Sequence, residues 1–170
     1  SIVTTLYNNG DKLVEFYDRI VQQLDQIKIK TYEIILVEDG STDNSLEKAI
    51  ELSKSNKKVT VIELSKNFGH HKAVMTGLDY AKGNLIFLID SDLDEDPAWL
   101  GLFYERMQQS KADVVFGKQE KRNGSLSDRA FGHMFYIVFR YLTGIDQPNN
   151  ILTVRLMTRD YVKALLLHRE

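Results

Sequence analysis

Six short apolar runs, rich in β-branched residues, alternate with stretches whose apolar residues recur three and four positions apart. Nothing else in the chain restricts its fold as much. Ile2–Leu6, Ile34–Glu38, Val59–Leu64, Leu85–Ile89, Val114–Phe116 and Leu152–Leu156 read as strands. Lys12–Leu24 reads as a helix with Leu13, Phe16, Ile20 and Leu24 on one face. The turn Asp39-Gly40-Ser41-Thr42-Asp43 supplies capping residues for a second helix that carries Leu46, Ile50 and Leu52. Ala73, Val74, Gly77, Leu78 and Ala81 form the stripe of a third. Pro97 can open a helix running to about Gln109. Leu126–Leu142 is a long aromatic-rich helix, and Asp160–His168 is the last. Such alternation implies an α/β fold of three layers, a mainly parallel, Rossmann-like sheet with helices on both faces. Leu85–Ile89 is the most apolar run, as expected of a strand at the centre of a covered sheet. No second domain, repeat or low-complexity linker interrupts the pattern, so residues 1–170 read as one domain.

In folds of this kind ligands sit outside the carboxyl ends of the strands. The polar clusters of this chain fall there. Thr5, Tyr7 and Asn8 end the first strand, and Glu38, Asp39 and Ser41 the second. Lys66, Asn67, His70 and His71 follow the third, and Asp90, Asp92 and Asp94 the fourth.

Asp90-Ser91-Asp92 is the sharpest of these features. Two carboxylates at the end of a buried strand repel each other unless a cation or protons compensate. If the chain stays extended, alternation puts both on one side, facing one ion. Oxygen ligands select a hard cation, Mg²⁺ or Mn²⁺, that keeps waters and binds substrate phosphate oxygens. On an ordinary loop the same pair would only be acidic surface, or caps for the helix at Pro97. Its place on the most apolar strand favours the metal. Asp39, at the end of the second strand, has the position of an acid that accepts hydrogen bonds from a ribose or base. His70 and His71 are adjacent and diverge on a helix, with no third soft ligand nearby, so hydrogen-bonded or solvated histidines are expected rather than a metal pair.

Composition removes several alternatives. A formal net charge of -2 gives no global field for nucleic acid. The absence of cysteine excludes disulfides, thiolate metal sites and cysteine nucleophiles. No G-x-G-x-x-G or P-loop pattern occurs, and no apolar run is long enough to span a bilayer. Lys118, Lys121 and Arg122 form a short basic cluster, most simply a solvated loop. The aromatic series Phe131, Phe135, Tyr136, Phe139 and Tyr141 reads as core packing, and the Asn123-Gly124-Ser125 sequon is discounted without a secretory signal. Ser1 begins inside a strand and Glu170 ends a helical pattern with no stop signal. The chain therefore reads as the core of a longer protein, with any membrane anchor expected outside it.

Ser1–Asn8 (SIVTTLYN), Val37–Ser45 (VEDGSTDNS), Asn67–Gly77 (NFGHHKAVMTG), Leu85–Pro97 (LIFLIDSDLDEDP) and Arg155–Arg159 (RLMTR) follow one another in an order that resembles the family 2 glycosyltransferases of the GT-A fold. Within that family the likeness is greatest to the polyprenyl-phosphate sugar transferases acting on dolichol or undecaprenyl phosphate. The resemblance implies roles. Thr5 and Tyr7 match positions that hold the nucleotide base, Asp39 matches the base- or ribose-binding acid, and Asn67 and Ser91 are placed with them as nucleotide contacts. Asp90 and Asp92 match the metal and diphosphate motif, and Asp94 stands where relatives often carry a glutamine as a further metal contact. Gln119 departs from the arginine that relatives often place there; Lys118, Lys121 or Arg122 are the substitutes at hand.

The reaction so implied is inverting transfer of a sugar from a UDP- or GDP-sugar to an acceptor. That acceptor is expected to be polyprenyl phosphate or a cell-surface glycan precursor, at the cytoplasmic side of a membrane. Asp92 and Asp90 would hold the cation, and neither is a nucleophile. Four alternatives were weighed. A saccharide hydroxyl acceptor would need a general base, which the sequence does not assign. A D-x-D phosphohydrolase would carry Thr or Val in place of Asp94, on an early strand. A nucleotidyltransferase would carry a glycine-rich loop where Tyr7-Asn8-Asn9-Gly10 stands. A binding-only relative would be expected to have lost Asp39, Asp90 or Asp92.

Overall fold

The computed structural model describes residues 1–118 and 151–168. The chain divides into two compact units, Ser1–Val115 with Thr153–Glu170, and Phe116–Leu152. Of the second, only Phe116–Lys118 and Ile151–Leu152 are described. The expected Leu126–Leu142 helix, the aromatic series, the sequon, Gln119, Lys121 and Arg122 lie outside the described residues.

Six strands form one sheet: β1 (Ile2–Leu6), β2 (Ile34–Glu38), β3 (Val59–Glu63), β4 (Leu85–Leu88), β5 (Val114–Lys118) and β6 (Ile151–Thr158). Among the described residues five helices accompany them: α1 (Leu13–Gln26), α2 (Ser45–Ser55), α3 (His70–Tyr80), α4 (Trp99–Ser110) and α5 (Arg159–Leu166). The strand order is β3-β2-β1-β4-β6-β5. β1 pairs in parallel with β2 and with β4, and β2 with β3. The first three strands step away from β1 in one direction and β4 lies on its other side. The order therefore reverses between β1 and β4, and the crevice outside their carboxyl ends is where such a sheet binds ligands. β6 runs antiparallel to β4, with Leu88 opposite Arg155 and Leu85 opposite Thr158. Its antiparallel course brings Thr153 and Val154 to the carboxyl end of β4.

The five residues of β1 and of β2 are all buried, which requires cover on both faces. On one face Val3, Ile35, Val37, Ile86 and Leu88 pack with Ala73 and Leu78 of α3, Ala81 just after it, and Val162 of α5. On the other, Phe87 meets Phe103 of α4 edge-on at 6.1 Å. Phe16, Ile20 and Leu24 are the fully covered stripe of α1. Each such aliphatic side chain contributes about 1.5–3 kcal/mol by leaving water. α3 lies unusually close to the sheet, because a Cβ on Gly77 would stand 2.5 Å from Val3 Cγ1 and 3.0 Å from Val37 Cγ2. Arg159, in the motif Arg155–Arg159, donates to the carbonyls of Ala81 and Gly83 and so ties the start of α5 to the turn before β4.

Candidate functional site

The loop after β1 is built almost entirely from side-chain bonds to main chain. Asn8, in the left-handed region at φ 55°, accepts from Thr42 N through Oδ1 at 2.8 Å, and its own N–H donates to Ser41 Oγ at 3.1 Å. Gly10 N donates to Asp43 Oδ2 at 3.0 Å, and Lys48 Nζ donates to Gly10 O at 2.7 Å. Asp43 also accepts from Ser45 N and Ser45 Oγ. Burial works to raise the Asp43 pKa, but the bonds from Ser45 and Gly10 outweigh it and hold the carboxyl below its ordinary range. Asp43 is thus a structural clasp between two loops.

Asp39 is buried, and its two oxygens accept from the N–H groups of Phe68, at 2.7 Å, and Gly69, at 3.0 Å. Gly40 beside it has φ +71°, and a Cβ there would lie 2.4 Å from Asn67 N, so this turn and the loop before α3 lie backbone against backbone. Only glycine meets both demands. Asn67 is itself exposed, and Tyr7 is half exposed at the rim. Asp39 therefore sets the conformation that delivers His70, the first residue of α3.

His70 reaches both sides of the crevice. Its Nδ1 lies 3.3 Å from Thr5 Oγ1, at the end of β1. Its Nε2 lies 3.8 Å from Asp90 Oδ1, beyond the end of β4. Thr5 is held in turn, because its carbonyl accepts from Ser91 Oγ at 2.9 Å. Ser91 is fully buried, and its hydroxyl is 3.1 Å from the Asn9 amide. Its side chain thus points at the β1 loop.

The acidic loop leaves the extended conformation sooner than alternation suggests. β4 ends at Leu88, Ser91 and Asp92 lie in a turn, and Leu93 adopts φ 62°, uncommon for such a residue. Asp92 Oδ1 accepts from Asp94 N at 3.0 Å, while Lys12 Nζ donates to the carbonyl of Asp92 at 2.9 Å. Asp94 presents an exposed side chain. This turn leaves Asp92 close enough for its charge to disfavour ionisation of Asp90.

Asp90 is the least satisfied group of the set. Its Oδ1 is buried and has no hydrogen-bond partner among the described residues. Burial raises its pKa; His70 opposes that, Asp92 adds to it, and Thr153 and Arg155 oppose it in part. Glu95 shares the condition. It is buried, one oxygen accepts from Val154 N at 3.1 Å, and the other has no partner. Burial again raises its pKa, with Asp90 adding to the shift. Sequence reasoning did not single out Glu95, Lys12 or the bridging role of His70. Five acids stand within Asp90–Asp96, and only the fold shows that Glu95 turns inward.

A divalent cation can be tested against these residues. Among the described residues no three His, Asp or Glu side chains converge to hold an ion unaided. Asp90 and Asp92 stand close enough to interact electrostatically, and Asp90 presents a buried oxygen without a hydrogen-bond partner among the described residues. That donor set fits a hard cation completed by water and phosphate oxygens. On the far side of His70 a cleft of about 360 Å³ opens, lined by Val74, Leu88, Met157 and Leu165 with His71, Thr153 and Arg155 among its polar residues.

Comparison with known proteins gives a consistent result. Residues 1–166 match the model of the family described as Glycosyl transferase family 2. A Mycobacterium tuberculosis protein provisionally named a glycosyltransferase is 50% identical over 171 residues, covering 100% of this chain and 49% of that protein. The undecaprenyl-phosphate 4-deoxy-4-formamido-L-arabinose transferase of Edwardsiella ictaluri is 30% identical over 167 residues, 98% of this chain and 51% of that one. Among solved structures, a Pyrobaculum calidifontis mannosyltransferase in complex with GDP-Man and Mn²⁺ superimposes with a TM-score of 0.63. It is 19% identical and covers 96% of this chain and 45% of that one, a likeness of fold. The chain spans about half the length of the relatives it matches.

Proposed function

Because the chain belongs to glycosyl transferase family 2, we propose that its crevice between β1 and β4 transfers a sugar, with inversion, from a nucleoside diphosphate to polyprenyl phosphate. The observation that carries this is Asp90, a partly buried carboxylate whose buried oxygen has no hydrogen-bond partner among the described residues, near Asp92 and where the strand order reverses between β1 and β4.

In this reading the nucleoside lies against the end of β1 and the turn after β2. Thr5 and Tyr7 hold its base, Asp39 uses its remaining lone pairs toward base or ribose, and Asn67 and Ser91 shape the surrounding wall. Ser91 acts through Thr5 and Asn9, to which its hydroxyl is already committed. Asp90 and Asp92, with Asp94 as a further ligand, hold Mg²⁺ or Mn²⁺. Bound there, the cation neutralises charge that develops on the departing diphosphate.

The bond from the anomeric carbon to the diphosphate oxygen breaks while an acceptor oxygen bonds to the opposite face of that carbon. The nucleoside diphosphate leaves with the electron pair of the broken bond. A phosphate acceptor is ionised near neutral pH and requires no general base, whereas a sugar hydroxyl would require one within about 3 Å. The undecaprenyl-phosphate specificity in the name of the Edwardsiella relative supports the lipid phosphate. No helix among the described residues is long and apolar enough to cross a membrane. Attachment to the cytoplasmic side would belong to other parts of the protein.

Calorimetry of the full-length protein with UDP and GDP, each with and without Mn²⁺, tests the reading. One of the two should bind more tightly when Mn²⁺ is present. Binding of neither, or binding indifferent to the metal, would overturn it.

A further inference from the structure

We propose that His70 is a positioning residue that holds the Asp90 carboxylate by tethering it to Thr5 across the crevice. The inference rests on the reading of Asp90 as a cation and diphosphate ligand, and assigns to that site a residue outside it.

Three observations combine. First, the imidazole is anchored at its far end, since Nδ1 lies 3.3 Å from Thr5 Oγ1 while the Thr5 carbonyl is fixed by Ser91. Thr5 is buried, so the anchor does not move with solvent. Second, the near end addresses the one Asp90 oxygen that has no hydrogen-bond donor, with Nε2 3.8 Å from Oδ1. That spacing is longer than a hydrogen bond, and places the ring beside the oxygen. Third, the backbone that carries the ring is itself fixed. Asp39 accepts from Phe68 N and Gly69 N, and Gly69 at φ +92° turns the chain into α3. A ring free at one end would orient nothing. This one is constrained through its backbone and through Nδ1.

Removing a group that orients a metal ligand from behind typically costs about 10–100-fold in metal affinity. The arrangement also links the two halves of the site. Asp39, on the nucleotide side, sets the loop, and the loop sets the ring that faces Asp90. His71 provides an internal comparison, because consecutive residues on a helix face different directions.

The test is Mn²⁺ titration of the full-length protein at saturating UDP, or GDP if that is the nucleotide bound. His70→Ala should weaken Mn²⁺ binding about tenfold, the lower range for loss of an outer-shell partner. Metal-free nucleotide affinity should be unchanged. His70→Gln should recover most of the loss, since its amide can accept from Thr5 and donate toward Asp90. His71→Ala should bind Mn²⁺ as the wild type does. Thr5→Val acts from the other end of the tether and should cost about threefold, the scale of one ordinary hydrogen bond. Wild-type Mn²⁺ affinity in His70→Ala, or an equal loss in His71→Ala, overturns the positioning role alone. Absence of metal-dependent binding in the wild type overturns both it and the proposed function. The His70 side chain is 54% exposed, so its replacement should leave the fold intact, which thermal unfolding will register.

Discussion

The carboxylates at the end of β2 and those at the end of β4 share a rim, yet are in opposite states. Glu38 accepts from Gly40 N and Ser41 N, and Asp39 from Phe68 N and Gly69 N. Asp43, farther along the same loop, accepts from Gly10 and Ser45. Each of these acids accepts a main-chain bond at both oxygens and orders a loop. At the end of β4, Asp90 and Glu95 each keep a buried oxygen with no donor, and burial raises the pKa of both. One set of acids completes the fold. The other is held by the fold at a cost that, in the proposed function, a bound cation would offset.

The largest effect that could break this comparison is at Asp92. Asp92→Asn should weaken Mn²⁺ binding in the presence of nucleotide by more than about a hundredfold, the upper range seen when only an outer-shell partner is lost. Unchanged Mn²⁺ affinity in calorimetry would remove Asp92 from the site. Next is Asp39. Asp39→Ala strands two backbone N–H groups and should destabilise the protein by about 2 kcal/mol. A urea midpoint equal to that of the wild type would show that the first set is not structural.

Asp90 should give the smallest effect, of opposite sign. Its folded pKa lies above the ordinary value, so its contribution to stability is fully present below the unfolded pKa. That contribution is lost as pH rises through the folded one. Without divalent cation, Asp90→Asn should therefore unfold at a higher temperature than the wild type at pH 7, by about 2–4 °C for a gain near 1 kcal/mol. The advantage should shrink toward pH 4 and disappear below it. A variant less stable than the wild type at pH 7 would mean that Asp90 is already compensated.

Much of this was legible in the sequence, for reasons that can be named. The expected Ile2–Leu6 and Ile34–Glu38 agree residue for residue with β1 and β2, because runs buried on both faces leave no register ambiguity. The α1 face of Leu13, Phe16, Ile20 and Leu24 is the buried set observed. Helix ends were less readable. α4 starts at Trp99, two residues after Pro97, and α5 spans Arg159–Leu166, where Asp160–His168 was expected. β6 runs longer than Leu152–Leu156, and its antiparallel course follows from no local pattern. Within the site, the grouping of strand ends was legible and the allocation of acids was not. Alternation predicts which way a carboxylate points only while the strand lasts, and the turn from Ser91 to Leu93 ends that rule before Glu95. The sequence offers His70 only as a hydrogen-bonded or solvated histidine; its two neighbours, Thr5 and Asp90, come from strand ends that only the sheet order brings side by side.

Gly77 gives the close packing of α3 a further meaning. It sits two turns along the helix from His70, about 10 Å at 1.5 Å per residue. At that point the helix rests on Val3 and Val37 with no room for a methyl group. Helix and sheet thus meet at a fulcrum, and the imidazole is at the end of the arm. A small lift at the pivot becomes a larger swing at the tip, so the reach of His70 to Asp90 is calibrated by one absent carbon that touches neither of them.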